Sequence, residues 1–137
     1  ARIIRESVIE TIPVGFILVD GDRQSAVERV SGCTPIAHQA VADVVSHAVA
    51  GQLLGKQLIY IEAGSGAKTP VSIDTIRAVR QAIDLPLIVG GGVTSEEQML
   101  AAFSAGANIV VIGNHFEQHP EDLPRFLQAK HSYVHNN

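Results

Sequence analysis

The sequence predicts an α/β fold in which four parallel strands alternate with helices, and three observations carry that expectation. Residues 15–19, 58–61, 85–89 and 109–112 are strand-sized apolar runs without polar alternation, the mark of strands buried on both faces. The segments between them place apolar residues at helical spacing. Three of the runs open into small residues: 58–61 into the carboxylate Glu62 and Ala63-Gly64-Ser65-Gly66, 85–89 into Gly90-Gly91-Gly92, and 109–112 into Gly113-Asn114. In parallel sheets, ligands collect at such carboxyl ends, where main-chain N–H groups can approach an anion.

Taken in order, residues 1–12 set Ile3, Ile4, Val8 and Ile12 near helical spacing with Arg2, Arg5, Glu6 and Glu10 between them. That predicts an amphipathic helix closed by Pro13. A helix with no preceding strand is an unusual opening for an α/β unit, so a further N-terminal segment is expected. Residues 15–19 form the first strand, ended by Asp20-Gly21-Asp22. Residues 23–29 read either as a short helix, with Arg23 and Ser25 near an anion, or as a solvated loop.

From Pro35 a long helix is expected, with Val41, Val44, Val45 and Ala48 on one stripe, loosened at Gly51 and ended by Gly55. His38 and His47 lack the i, i+4 spacing of a helical metal pair and read as surface residues. After the second strand, a helix over 72–83 turns Ile73, Ile76, Val79 and Ile83 inward and Arg77 and Arg80 outward. The third strand begins at Leu85. Thr94-Ser95-Glu96-Glu97 reads as a capping box in which Thr94 accepts from the Glu97 N–H, and Gly106 as the glycine that stops that helix. The fourth strand covers 108–112. Pro120, followed by Glu121 and Asp122, starts a last helix through Leu123, Phe126 and Leu127, and 132–137 is expected to fray.

This order makes residues 1–137 a single (β/α)₄ unit, the C-terminal half of a TIM (β/α)₈ barrel. A flavodoxin-like open sheet is the competing architecture, but glycines after the two final strands match the phosphate site of barrels, and 137 residues fall well short of the roughly 250 of a complete one. At 46% hydrophobic the chain can bury a core as one domain. A formal charge of −4 with no basic run argues against a nucleic-acid surface. The single cysteine, Cys33, excludes an internal disulfide framework and a cysteine-rich zinc site, which points to a reducing compartment such as the cytoplasm. No apolar stretch approaches the roughly 20 residues that span a bilayer.

Four elements in succession give the chain a likeness: Tyr60-Ile61-Glu62-Ala63-Gly64-Ser65-Gly66-Ala67, Val89-Gly90-Gly91-Gly92-Val93, Ala105-Gly106-Ala107 and Val111-Ile112-Gly113-Asn114. In these the whole chain resembles the C-terminal half of geranylgeranylglyceryl phosphate synthase and its bacterial PcrB relatives. The Y-x-E-x-G-S-G element discriminates, since many phosphate-binding barrels carry the glycine clusters. The resemblance implies a prenyltransferase that joins the C3 hydroxyl of sn-glycerol 1-phosphate to a polyprenyl diphosphate such as geranylgeranyl diphosphate. The product is an ether-lipid precursor, Mg²⁺ assists the leaving pyrophosphate, and the lipid product implies proximity to a membrane. Glu62 would take the hydroxyl proton and Tyr60 would orient Glu62 or the glycerol. Ser65 and the N–H groups of Gly64, Gly66, Gly91, Gly92, Gly113 and Asn114 would hold the phosphate.

For Glu62 the structural alternative is an ion pair with Lys68 or a nearby arginine, and for Tyr60 an ordinary core aromatic. Many relatives carry a charged residue after the triple glycine segment, where this chain has Thr94. The family's Mg²⁺-binding aspartate ends the first barrel strand, and much of the prenyl groove lies in that same half, so no metal ligand is assigned here. Asp20 corresponds to the end of the fifth strand. An N-terminal half, or a second copy, is expected to complete the barrel, with the complete enzyme a homo-oligomer. The alternative function is a non-catalytic phosphate-binding half-barrel that self-associates to cover its open sheet edges.

Overall fold

A computed structural model describes residues 2–136, without the side chains of Arg2, Arg5 and Asn136. Four strands, β1 (Val14–Leu18), β2 (Leu58–Glu62), β3 (Leu87–Gly90) and β4 (Ile109–Val111), form one sheet in the order β1-β2-β3-β4. All three pairings are parallel, and the register sets Leu18 beside Glu62, Glu62 beside Gly90 and Gly90 beside Val111. The helices are α1 (Arg2–Arg5), α2 (Ala26–Ser31), α3 (Val41–Leu53), α4 (Ile73–Ala82), α5 (Glu96–Ser104), α6 (Asn114–Gln118) and α7 (Leu123–Asn136).

One sheet face is covered and the other is not. Ile17, Val19, Ile59, Ile61, Leu87 and Val89 are buried against Val44 and Ala48 of α3, Ile76 and Val79 of α4 and Ala102 of α5. A smaller cluster of Val93, Met99 and Phe126 packs α5 and α7 beside β4. On the opposite face, Val14, Phe16, Ile109 and Val111 remain 39–49% exposed, and the Phe16 ring meets Tyr60 edge-on at 5.3 Å. A doubly wound sheet carries helices on both faces and reverses its strand order. Strands in sequential order with one helical layer make instead half of a TIM barrel, whose bare face is the lumen side.

Several local expectations need correction. The N-terminal helix is a single described turn, α1, and Val8, Ile9 and Ile12 are exposed; an apolar stripe with nothing to bury against does not hold a helix. Ala1 and Asn137 lie outside the described residues. The helix expected from Pro35 begins at Val41, because Ile36 first bridges Val19 in parallel. Gly51 lies within α3 and allows its close approach to the sheet, since a Cβ there would come within 2.8 Å of Ile59 Cδ1. His47 is exposed, but His38 is half-buried, with Nε2 3.0 Å from the Pro70 carbonyl.

Arg80 does not point outward. Its guanidinium turns back to the chain leaving α4, donating to the carbonyls of Leu85 at 2.9 Å and of Ile83. The cap of α5 is displaced by one residue: Ser95, not Thr94, accepts from the Gln98 N–H, and Gln98 Oε1 accepts from the Thr94 N–H at 2.8 Å. Gly106 follows the end of α5 with φ +112°, as expected. Pro120 opens a 3₁₀ turn, Pro120–Asp122, that leads into α7, and α7 continues through 132–136 where fraying was expected. Tyr133 is held there by stacking on Phe103 at 6.1 Å.

Candidate active site

Alternation along β2 puts Tyr60 and Glu62 on the lumen side and the buried Ile59 and Ile61 on the helix side. Glu62 is only 8% exposed, and both of its oxygens are engaged. Oε1 accepts from the Gly64 N–H at 2.9 Å, and Oε2 from the Tyr60 hydroxyl at 2.5 Å. Burial first, then the hydrogen bond to Glu62 and its negative charge, push the Tyr60 phenol well above its ordinary value. Tyr60 is therefore a neutral donor, and it fixes the carboxylate. A carboxylate accepts about four hydrogen bonds, so Glu62 keeps acceptor capacity toward the cleft it lines.

Room for that carboxylate comes from β3. A Cβ on Gly90 would lie 2.5 Å from Glu62 Oε2 and 2.6 Å from the Tyr60 hydroxyl oxygen. A Cβ on Gly91, whose φ is +84°, would lie 2.7 Å from both Glu62 Oε1 and the Gly64 nitrogen. The triple glycine thus clears space across the sheet as well as turning the chain. Gly90 was not among the residues expected at the site; its signal was membership of that cluster.

A cleft of about 530 Å³ opens over the strand ends. It gathers Tyr60, Glu62, Ser65, Gly66, Gly91, Gly92, Gly113 and Asn114, from the ends of β2, β3 and β4. Gly64 is the exception among the expected residues: it is buried and its N–H is committed to Glu62. Sequence reasoning did not place His115, Gln118 or His119 here, yet α6 and the residue that ends it line the cleft with all three. His115 is anchored from behind, with Nε2 2.9 Å from Asp122 Oδ2. Ser25 is buried as the N-cap of α2, in a capping box with Glu28, and does not line the cleft.

Among the described residues no cation pairs with Glu62, so the expected alternative of an ion pair with Lys68 or an arginine is not formed. Nor do any three His, Cys, Asp or Glu side chains among the described residues gather as a metal site. Asp20 accepts from the Asp22 N–H at 2.9 Å and stands outside the cleft. The described residues do not by themselves fit an Mg²⁺ site.

Residues 2–130 match the PcrB family. The chain belongs to that family. It is 44% identical over 91% of its length to geranylgeranylglyceryl phosphate synthase of Spirosoma linguale, covering 50% of that protein. To the synthase of Zunongwangia profunda it is 50% identical over 80% of its length, covering 47% of that relative. It also superposes with a TM-score of 0.78 and 35% identity on (S)-3-O-geranylgeranylglyceryl phosphate synthase of Thermoplasma acidophilum in complex with the substrate sn-glycerol-1-phosphate. That match covers 84% of this chain and 46% of the other. The chain spans about half the length of the PcrB-family relatives it matches. No described helix is long and apolar enough to cross a membrane.

Proposed function

We propose that this PcrB-family half-barrel carries the glycerol phosphate end of a prenyltransferase site. The reaction joins sn-glycerol 1-phosphate to a polyprenyl diphosphate, geranylgeranyl diphosphate by analogy with the relatives. The observation that supports this most is the Glu62 carboxylate, held by Tyr60 and Gly64 at the edge of a glycine-walled cleft. Phosphate settles against the N–H groups of Gly66, Gly91, Gly92, Gly113 and Asn114 with the Ser65 hydroxyl, which leaves the glycerol to extend toward Glu62. The C3 hydroxyl gives its proton to Glu62 as its oxygen bonds the allylic carbon, and the carbon–oxygen bond to diphosphate breaks with its electrons leaving on pyrophosphate. A base within hydrogen-bond reach of the hydroxyl is the chain's own contribution to that step.

The rest of the barrel is required. The bare face bearing Val14, Phe16, Ile109 and Val111 would be covered by the half that the relatives have beyond this match, or by a second copy. Mg²⁺ and its ligands would belong to that other half, and an oligomeric, cytoplasmic enzyme working beside the membrane fits the product. The test is to supply the completed protein with geranylgeranyl diphosphate and either sn-glycerol 1-phosphate or sn-glycerol 3-phosphate. Ether product from the first alone is the expected outcome. Glycerol phosphate binding with no transfer would overturn it in favour of a phosphate-binding half-barrel.

A further inference from the structure

Among the described residues one guanidinium lines the cleft, and it comes from outside the three glycine loops. Arg23 stands on the loop after β1, and among the described residues no lysine and no other arginine lines the cleft. Its loop is fastened to the loop after β2 at several points. The Gly21 carbonyl accepts from the N–H groups of Lys68 at 2.9 Å and Thr69 at 3.3 Å. Thr69 Oγ1 donates to Asp22 Oδ2, and the buried Ser25 lies against Gly64. Asp22 adopts a left-handed φ of 59° with its N–H on Asp20 Oδ1. The residue that follows is turned over the β2 loop.

Arg23 Nη1 consequently lies 3.5 Å from the Gly66 carbonyl. A Cβ on Gly66 would meet that same nitrogen at 3.1 Å and Asn114 Nδ2 at 3.9 Å. The guanidinium, the Gly66 main chain and the Asn114 amide therefore bound one corner of the cleft. Little inside the protein uses this charge. Arg23 is exposed and has no ion pair among the described residues, while the two acids of its own loop are occupied by the Asp22 N–H and by Thr69. A guanidinium carries five N–H donors in a planar fork that matches phosphate oxygens, and one 3.5 Å contact leaves most of them free.

We propose that Arg23 binds the phosphate group of the glycerol phosphate directly, as the cationic partner of the main-chain donors. The β1 loop thereby supplies the charge that Thr94, neutral after the triple glycine, does not. Arg23 has this role only if the cleft takes glycerol phosphate as proposed above, and binding measurements separate the two. Equilibrium affinities for sn-glycerol 1-phosphate and for pyrophosphate would be compared in the completed protein for wild type, Arg23→Gln and Arg23→Lys. Loss of a charge-assisted contact predicts glycerol phosphate binding about 10- to 100-fold weaker in Arg23→Gln, with part of it regained in Arg23→Lys. Pyrophosphate affinity should change far less. Unchanged glycerol phosphate affinity in Arg23→Gln would overturn the role of Arg23 while leaving the proposed function standing, and so would a loss confined to pyrophosphate. A wild-type protein that bound no glycerol phosphate would overturn the proposed function and this role together.

Discussion

The Tyr60 hydroxyl donates to Glu62 Oε2 at 2.5 Å from two positions earlier on the same face of β2. Tyr60 thereby acts on the carboxylate as a proton-bearing partner. Its raised phenol pKa means that the folded protein holds this proton more tightly than the unfolded chain does. The associated stability is present below the ordinary tyrosine pKa of about 10 and is lost as pH rises beyond it. Tyrosinate absorbance, with Tyr60→Phe identifying the relevant step, should place Tyr60 ionisation above that value. A Tyr60 step at or below pH of about 10 would contradict the pairing.

Glycines of the cleft should not be equivalent. Alanine at Gly91 meets both a left-handed φ of +84° and a Cβ 2.7 Å from Glu62 Oε1, whereas alanine at Gly113 meets no atom within 4 Å. Gly91→Ala is expected to cost more than about 1 kcal/mol in denaturant unfolding. Gly113→Ala should stay within about 0.5 kcal/mol of wild type. Equal stabilities would show that the crowding at Gly91 is relieved elsewhere.

The cap of α5 offers a test by adjacent residues. Ser95 accepts from the Gln98 N–H, while Thr94 meets Gln98 Oε1 through its own N–H and, at 3.3 Å, its hydroxyl. Ser95→Ala should lower stability by about 1 kcal/mol, and Thr94→Ala by distinctly less, since the main-chain contact survives. The reverse order in thermal unfolding would restore the cap to Thr94.

These contrasts mark what the sequence could disclose. The strands were legible because burial on both faces leaves uninterrupted apolar runs, and Glu62 because a carboxylate stands where such a run meets small residues. The strand boundaries moved slightly: β3 starts at Leu87, past Pro86, which has no N–H to place in the ladder. What stayed hidden depends on contacts between distant segments. Nothing local announces that Gly90 clears space for Glu62, or that Arg23 reaches Gly66, 43 residues away. α6 was missed because its five residues, Asn114–Gln118, are too few to display a stripe. Arg80 followed helical spacing on paper, but the free carbonyls beyond α4 drew it back.

Glu62→Gln is the most direct test of the proposed chemistry. The amide preserves the size of the side chain and can still accept from the Gly64 N–H, but it cannot take a proton from the glycerol hydroxyl. General-base catalysis supplies about 10²–10⁴-fold, so the single-turnover rate of the completed enzyme should fall on that order. Affinity for sn-glycerol 1-phosphate should change much less, and removing a negative charge beside a phosphate favours slightly tighter binding. The decisive measurement is therefore the single-turnover rate set beside the equilibrium affinity for sn-glycerol 1-phosphate, in wild type and Glu62→Gln. A large loss of rate with binding retained is the predicted result; near-normal turnover, or a collapse of affinity with turnover intact at saturating substrate, would contradict the role of Glu62 as base.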